Sequence, residues 1–342
     1  MNKFVKGALI AGAVAAAPAV INSVIFSRAK ALGNPIGGEG RFWPWREGDL
    51  FVTRHGTGKP PIVLLHGIYA GASSWEWRKN FAALSERFTV YAIDWLGFGL
   101  SDKPKIAYSG EMYVEILTQF LRDVVGEPAT VIASSLSSVY AIEAARRAPG
   151  AIANLVLVCP AGFDRPSDAT VSQCKSTVKA LLDLPVLGTS VYNAIASAAS
   201  LRCYLQNEVY FDPSYVTDEM VEHYSAATHQ YGSQHAALAF VSGQLGLDVR
   251  DTLPRLEDTS IHILWGREAK ISPLSDAQAF LAANGRAELT ILDRAGSVPH
   301  DEQAAAFNRF IIETLSNSSP AGAATGNGNA AKGRSTAKKA GA

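Results

Sequence analysis

Short apolar runs rich in β-branched residues, spaced by helical segments, are the feature that most constrains the fold of this chain. The predicted strands are Ile62–Leu65, Thr89–Asp94, Thr130–Ala133, Leu155–Val158, Ile261–Leu264 and Leu289–Leu292, with an earlier strand around Leu50–Arg54. The predicted helices are Trp75–Arg87, Glu111–Val125, Leu136–Ala148 and Gln303–Leu315. Because continuous apolar strands that alternate with helices are typical of sheets covered on both faces, the pattern predicts an α/β fold with a mostly parallel, doubly wound sheet.

The alternation breaks between Asp164 and Leu256. This stretch has helical character, many aromatic residues and three histidines, His223, His229 and His235, but no strong strand signal. An insertion of this size that follows a strand end is best interpreted as a helical cap. We therefore expect residues 164–256 to cover the mouth of the sheet.

The N-terminal segment, residues 1–31, carries an apolar run from Gly7 to Phe26, with basic residues on both sides. About 20 apolar residues are enough to span a bilayer, so the segment predicts a membrane-associated protein held by an N-terminal anchor. The alternative is a secretory signal cleaved near Ala29-Lys30-Ala31, which would export the protein.

Three further parts complete the expected organisation. Residues 32–44, which are rich in glycine, predict a linker, and residues 45–315 predict the folded domain. Residues 316–342 contain Ala, Gly, Ser, Asn and basic residues without large apolar side chains. Such a composition predicts a disordered basic tail, because it buries too little surface to offset ordering entropy.

Composition excludes several classes of partner and cofactor. The chain of 342 residues has 31 Lys+Arg and 31 Asp+Glu, a balance that gives no reason to expect a nucleic-acid partner. The cysteines, Cys159, Cys174 and Cys203, are too few and too scattered for a disulfide framework or a metal cluster. No motif implies a metal or an organic cofactor, so we expect none.

Three motifs follow successive strands and point to one site. His66-Gly67-Ile68 comes first, Asp94–Asp102 second and Ala133–Ser138 third. On a sharp turn between a strand and a helix, a nucleophile needs small residues two positions before and after it, which makes Ser135 the candidate nucleophile. The turn at Gly67 directs the N–H of Ile68 toward the same place, where it would form an oxyanion hole with the N–H of Leu136.

Taken together and in this order, the motifs resemble the α/β-hydrolase superfamily, most closely its capped branch of small-molecule esterases, dehalogenases and C–C hydrolases. The resemblance covers about residues 45 to 314 and implies a Ser–His–Asp triad built on Ser135. The acid position of that pattern falls on Ala269, after the Trp-Gly strand. The base position falls on Ser297, and His300 matches a second histidine that is often found in the same loop.

The two replacements open three functional hypotheses. The first is a protein that binds a small apolar or acyl ligand with little or no hydrolysis, because a serine hydroxyl without a base is a poor nucleophile. The second is an esterase or lipase-like hydrolase that uses Ser135 with a rebuilt base. The third is a lyase-type reaction that needs only the oxyanion hole and a shaped pocket.

Under the second hypothesis, several histidines are candidates for the base. His300 is the nearest base in the sequence, oriented by Glu268 or by Asp301. Alternatively, one of the three cap histidines reaches Ser135. Each would restore the proton transfer that Ala269 and Ser297 cannot perform.

Overall fold

An eight-stranded sheet forms the centre of the molecule in the computed structural model, which describes residues 17–163 and 184–317. The strand order is β1-β2-β4-β3-β5-β6-β7-β8. The strands are β1 (Glu39–Trp43), β2 (Leu50–His55), β3 (Ile62–Leu65), β4 (Val90–Ile93), β5 (Ala129–Ser134), β6 (Ile152–Val158), β7 (Ser260–Gly266) and β8 (Glu288–Leu292). All seven strands predicted from the sequence are present, within three residues at each end.

The pairing confirms the predicted fold class. β1 pairs with β2 and β2 with β4 in antiparallel fashion, while β4, β3, β5, β6, β7 and β8 are parallel neighbours. Successive residues of β3 are buried on opposite faces, with Val63 and Leu65 in one core and Ile62 and Leu64 in the other. Both faces of the sheet are therefore covered, as the continuous apolar runs predicted.

The described helices cover the two faces of the sheet or form the cap. They are α1 (residues 17–27), α2 (Phe81–Ser85), α3 (Gly110–Phe120), α4 (Ser137–Arg147), α5 (Pro185–Ile195), α6 (Ala198–Tyr204), α7 (Asp218–Thr228), α8 (Gln234–Val241), α9 (Ala277–Ala283), α10 (Pro299–Glu302) and α11 (Ala304–Asn317). Helices α3 and α4 pack on one face, and α2 and α11 pack on the other. Ser109 caps α3 by accepting a hydrogen bond from the Met112 N–H, and Gly126 ends its extension with a φ of 70°.

The predicted helix Trp75–Arg87 is the largest local difference from expectation. The structure has a 3₁₀ turn at Ser74–Trp77 and the separate short helix α2. Asp94 explains the early start, because its carboxylate accepts the Ser74 N–H at 2.6 Å and fixes the turn on the end of β4. Apolar periodicity alone does not reveal such a long-range contact.

Helices α5 to α8 form the described part of the cap, residues 184–256. Residues 184–256 contain no strand, which agrees with the predicted helical insertion. The first part of the predicted cap, residues 164–183, lies outside the described residues.

The folded domain begins at an earlier residue than the sequence indicated. Strand β1 lies inside the predicted linker of residues 32–44, so the sheet begins before residue 45. Its side chains are mostly exposed, as in Phe42 at 58%, and they therefore leave no burial pattern in the sequence. Within residues 17–163 and 184–317, no helix is long and apolar enough to cross a membrane. Residues 1–16 and most of the predicted tail, residues 318–342, lie outside the description.

Candidate functional site

The carboxyl ends of the parallel strands meet at one edge of the sheet and bring the predicted motifs together. β3 leads into His66-Gly67-Ile68, β5 into Ser135, and β6 into Cys159. β7 leads toward Ala269, and the loop after β8 contains Ser297. Open α/β sheets bind ligands in the crevice outside this edge, so the topology places the candidate site there.

Ser135 occupies the sharp turn that the motif predicts. Its φ is 50°, in the left-handed region that non-glycine residues rarely adopt. The turn is held in place because the Ser135 N–H donates to Val158 O at 2.9 Å, while the Ser135 carbonyl accepts from the Ser138 N–H at 3.1 Å. Such backbone strain is typical of functional sites, where the surrounding structure enforces it.

Ser137, expected only to be small, ties the turn to the neighbouring loop. Its hydroxyl donates to His66 O at 2.5 Å and accepts from the Trp95 indole N–H at 2.9 Å. A glycine at this position would lack both contacts. The Ser135 turn is thereby fixed relative to the loop that carries Ile68.

The two predicted oxyanion donors flank the site. Ile68 lines the same cavity as Ser135, and Leu136 follows Ser135 directly. Among the described residues, neither N–H has an acceptor within hydrogen-bond distance. The oxyanion role of these two N–H groups therefore stays a prediction, with Ile68 but not Leu136 among the described cavity-lining residues.

A cavity of about 480 Å³ lies over Ser135, between the sheet edge and the cap. Most of its lining is apolar, and the described part of the lining includes no Asp, Glu, Lys, Arg or His. Its polar members are Tyr69, Ser134, Ser135, Cys159, Tyr192, Ser200, Tyr204, Tyr224, Ser272 and Ser297. A wider open groove of about 650 Å³ runs along α3 and is lined by charged side chains, none of them from the strand ends.

The two positions implied by the resemblance as acid and base carry no titratable group. Ala269 is buried in the turn after β7, where its N–H donates to Gly266 O at 3.2 Å. Ser297 lines the cavity with Ser135, and its N–H donates to Val209 O at 2.8 Å. The Ser297 hydroxyl is buried and has no hydrogen-bond partner among the residues that the structure describes.

His300 and Glu268, the nearest candidates for a rebuilt base and its orienter, are not brought together. His300 is fully buried, with its Nε2 3.1 Å from Glu76 Oε1 and its ring 4.4 Å from that of Trp77. Glu268 Oε2 instead accepts the Ala295 N–H at 2.9 Å. His300 does not line the cavity, and its carboxylate partner is Glu76.

The cap histidines have other partners as well. His223 stacks on Trp75, with ring centroids 4.6 Å apart, and its Nε2 lies 3.2 Å from Ser73 Oγ. Burial lowers the pKa of His223 to about 4. His229 Nδ1 lies 2.7 Å from Ser225 O. Neither these two nor His235 belongs to the described cavity lining.

His66 is a satisfied structural histidine. Its Nδ1 lies 2.7 Å from Gly67 O, and its Nε2 lies 3.1 Å from the Trp95 N–H. The second contact makes Nε2 an acceptor, so the first assigns the proton to Nδ1. Burial lowers the pKa of His66 and keeps the ring neutral in this role.

Beneath the cavity lies a buried carboxylate that the sequence did not reveal. Glu76 Oε2 accepts the Gly67 N–H and the Tyr69 hydroxyl, each at 2.9 Å. Burial raises the pKa of Glu76, but its contacts with His300 and Ser134 outweigh burial, and the pKa is lowered. Glu76 is thus a buried carboxylate whose Oε2 accepts two hydrogen bonds.

Two further carboxylates, Asp301 and Glu302, hold the loop that carries Ser297. Asp301 lies 2.8 Å from Arg78 and 2.7 Å from Lys79, and the charge of Arg78 overcomes burial to lower the pKa of Asp301. Glu302 accepts the Gly296 N–H at 2.6 Å and the Phe211 N–H at 2.9 Å. Burial raises the pKa of Glu302.

Sequence reasoning missed Glu76 and Tyr69 as parts of this site. Tyr69 directly follows the His66–Ile68 motif, and this adjacency was the one signal for it. Tyr224 completes the chain of hydroxyls, with its oxygen 3.2 Å from that of Tyr69. In the parts of the chain that the structure describes, no group of three or more His, Cys, Asp or Glu residues is arranged to hold a metal.

Comparison with known proteins agrees with this architecture. Residues 62–310 match the Alpha/beta hydrolase family. An uncharacterized protein of Mycobacterium tuberculosis is 28% identical over 273 residues, covering 77% of each chain. A 2-hydroxymuconate semialdehyde hydrolase of Pseudomonas sp. is 26% identical over 262 residues, covering 75% of this chain and 86% of that protein.

Solved structures show the same fold. A mutant of a meta-cleavage product hydrolase superimposes with a TM-score of 0.67 at 24% identity, covering 83% of this chain and all of that one. A membrane phospholipase A gives a TM-score of 0.66 at 20% identity and covers 93% of this chain. At these identities the likeness concerns the fold alone. The match over residues 62–310, joined to the strand order and the Ser135 turn, shows that this chain belongs to the alpha/beta hydrolase family.

Proposed function

We propose that this chain binds a neutral, largely apolar small molecule or acyl compound above Ser135, with little or no hydrolysis. The observation that carries the proposal is the uncharged cavity: Ser135 and Ser297 line it, and no described lining residue is a base. The relatives with named activities are hydrolases, and this chain retains their scaffold.

Proton transfer is the step that this arrangement does not support. A serine hydroxyl attacks a carbonyl effectively only when a neighbouring base accepts its proton. In subtilisin, the worked case for such losses, removal of the histidine lowers kcat by roughly 10⁶, and the oxyanion hole and binding retain roughly 10³–10⁴ over water. We expect this chain to retain no more than that residual acceleration.

The lining sets the class of ligand. A cavity of about 480 Å³ suits a small organic molecule, since ligand pockets are typically about 300–1,000 Å³. A ligand carboxylate would find no cationic side chain among the described lining residues, and burying an unpaired charge is strongly unfavourable. A neutral carbonyl, by contrast, can accept from the N–H groups of Ile68 and Leu136, and its chain can pack on the apolar walls.

Restoring the triad positions tests the proposal. The double variant Ala269→Asp with Ser297→His places an acid and a base where the resemblance implies them. We expect hydrolysis of p-nitrophenyl hexanoate to rise by about 10³ or more, because the turn and the oxyanion donors are already present. The matched control adds Ser135→Ala to the same double variant and should abolish the gain.

Ligand binding is measured separately on the unchanged chain, with the neutral apolar dye Nile red. We expect Nile red fluorescence to increase on binding, and a medium-chain methyl ester to reverse this increase by competition. Ala70→Trp, which fills part of the cavity, should weaken Nile red binding. If the unchanged chain hydrolysed the ester as fast as the restored variant, a rebuilt base would be operating and the proposal would be wrong. A folded chain that bound neither dye nor ester would equally contradict it.

A further inference from the structure

Helix α1 packs on the cap through Asn22 and Phe26 and leaves apolar side chains exposed on its outer side. Asn22 is buried against α5, where its amide donates to Val186 O at 3.2 Å and its oxygen accepts from the Asn193 amide at 2.9 Å. The outer side exposes Ala17, Val20, Ile21 and Val24, beside the exposed Ser23 and Ser27. The exposed side of a helix on a water-soluble surface is normally mostly polar.

The mouth of the cavity is also apolar and exposed. Ile195, Tyr204, Val241 and Ile271 all line the cavity, yet each is 42–50% exposed. Single exposed hydrophobic residues are ordinary, but four around one opening form a patch of the kind that marks an interaction surface. The opening therefore presents an apolar rim and no charged side chain among its described residues.

Helix α5 connects these two features. Its residues Val186, Ser190 and Asn193 hold Asn22 of α1, and its last residue, Ile195, belongs to the mouth. Leu187, on the same helix, is 50% exposed. We use the term lipid face for the α1 stripe (Val20, Ile21, Val24) together with Leu187 and the four mouth residues.

The chain beside the lipid face favours a bilayer as its occupant. Residues 7–16, which precede α1, contain no charged side chain, while Lys3 and Lys6 lie before them and Arg28 and Lys30 after α1. Basic residues at the ends of an apolar segment suit an anionic lipid surface better than a second copy of a chain with zero net charge.

Residues 17–26 of the apolar run belong to the fold, because Asn22 and Phe26 pack on the cap.

We propose that the lipid face docks on an anionic bilayer surface and that the cavity mouth opens into the lipid, from which a neutral apolar ligand enters directly. This inference rests on the proposed function for the nature of the ligand, and on the exposed apolar side chains for the docking. An apolar ligand then passes from lipid to cavity without crossing water.

The test is flotation of the full chain with vesicles of phosphatidylcholine containing about a third phosphatidylglycerol. The double variant Ile21→Asp with Val24→Asp should lower the vesicle partition coefficient about tenfold or more, since it places two charges in the apolar contact. Phe42→Asp is the matched control, because Phe42 is equally exposed but lies on edge strand β1. That control should change the partition by less than about twofold.

A second variant examines the lipid face beside the mouth. Leu187→Asp, which lies outside the cavity lining, should slow transfer of vesicle-loaded Nile red into the cavity by about threefold or more, while dye added from water still binds. Transfer at the rate of the unchanged chain would overturn direct entry from the lipid. Thermal unfolding of each variant checks that the fold is intact.

The outcomes separate the two proposals. Equal partition of the Ile21→Asp/Val24→Asp variant and the unchanged chain would overturn the docking, as would a dimer in sedimentation that this variant dissociates. Vesicle docking through the lipid face, combined with a cavity that binds no neutral ligand, would leave the docking standing and refute the proposed function.

Discussion

The two sides of the loop after β8 differ sharply in charge. On the cavity side, Ser297 presents a hydroxyl that has no hydrogen-bond partner among the described residues, and the described lining is uncharged. On the buried side, His300, Asp301 and Glu302 follow within five residues, and each lies against a charged or polar partner. The titratable groups of this loop contact other loops, while its described cavity side carries none.

This contrast separates the contacts that hold the strand-end loops from the side that faces the cavity. The turn at Ser135 is held by Val158 and Ser137, and the Gly67 N–H is held by Glu76. None of these contacts uses the side chains of Ala269 or Ser297. The geometry around Ser135 therefore does not depend on which side chains stand at those two positions.

The buried side should respond most strongly to substitution. Glu76→Ala removes the acceptor of the Gly67 N–H and the Tyr69 hydroxyl and leaves His300 without its carboxylate. Leaving buried donors without an acceptor destabilises a protein by about 1–3 kcal/mol for each donor. Urea unfolding should show a loss of that order, with a smaller loss for Glu76→Gln, which keeps an acceptor oxygen.

The exposed Glu86→Ala, five residues after the start of α2, provides the matched control and should change the free energy of unfolding by less than about 0.5 kcal/mol. A Glu76→Ala variant as stable as that control would mean that the buried network does not hold the site.

The pH dependence of stability that comes from His223 should be an effect of intermediate size. Burial lowers the pKa of His223 to about 4, below its ordinary 6.5, with Asp94 opposing and Arg78 reinforcing the shift. Between these values the unfolded chain binds a proton that the folded chain does not, so stability rises with pH across this window and is lost as pH falls from 6.5 toward 4.

The change attributable to one histidine is at most about 1.4 kcal/mol per pH unit. His223→Phe keeps the stacking on Trp75 and removes the titration, so the fall in unfolding free energy from pH 6.5 to 4.5 should be smaller than in the unchanged chain. Other groups remain in both proteins: the lowered pKa of His66 acts in the same direction, and the raised pKa of Glu302 opposes it. Parallel pH profiles for the two proteins would contradict this assignment.

The cavity side should show the smallest effect. Ser297→Ala removes a buried hydroxyl that has no hydrogen-bond partner among the described residues, so no described hydrogen bond is lost. We expect the free energy of unfolding to stay within about 0.5 kcal/mol or to rise slightly, because an unsatisfied buried polar group is unfavourable. A loss above about 2 kcal/mol would show that this hydroxyl supports the loop.

The sequence predicted the sheet, the cap and the Ser135 turn because each follows from local pattern. Continuous apolar runs mark parallel strands, and small residues on both sides of Ser135 mark a sharp turn. The exposed edge strand β1 was not predicted, since an exposed strand leaves no burial periodicity. The assigned domain limits, the disordered tail and the membrane attachment remain predictions.

The sequence did not predict which residues the charged side chains contact. Glu76 and His300 are separated by more than two hundred positions, and only the fold brings them to 3.1 Å. Glu268, by contrast, is near His300 in sequence and was expected to orient it, but it binds the Ala295 N–H. Pairing depends on which loops meet beneath the sheet edge, and local spacing carries no information about this.

The most direct test of the central claim compares ester hydrolysis by the unchanged chain and by Ser135→Ala. The substrate is p-nitrophenyl hexanoate, whose neutral acyl chain suits the cavity. If the cavity side lacks a base for Ser135, kcat/KM of the two proteins should agree within about twofold, since the remaining acceleration comes from binding and the oxyanion donors alone. A value for the unchanged chain more than about tenfold above that of Ser135→Ala would contradict the account and assign Ser135 a working base.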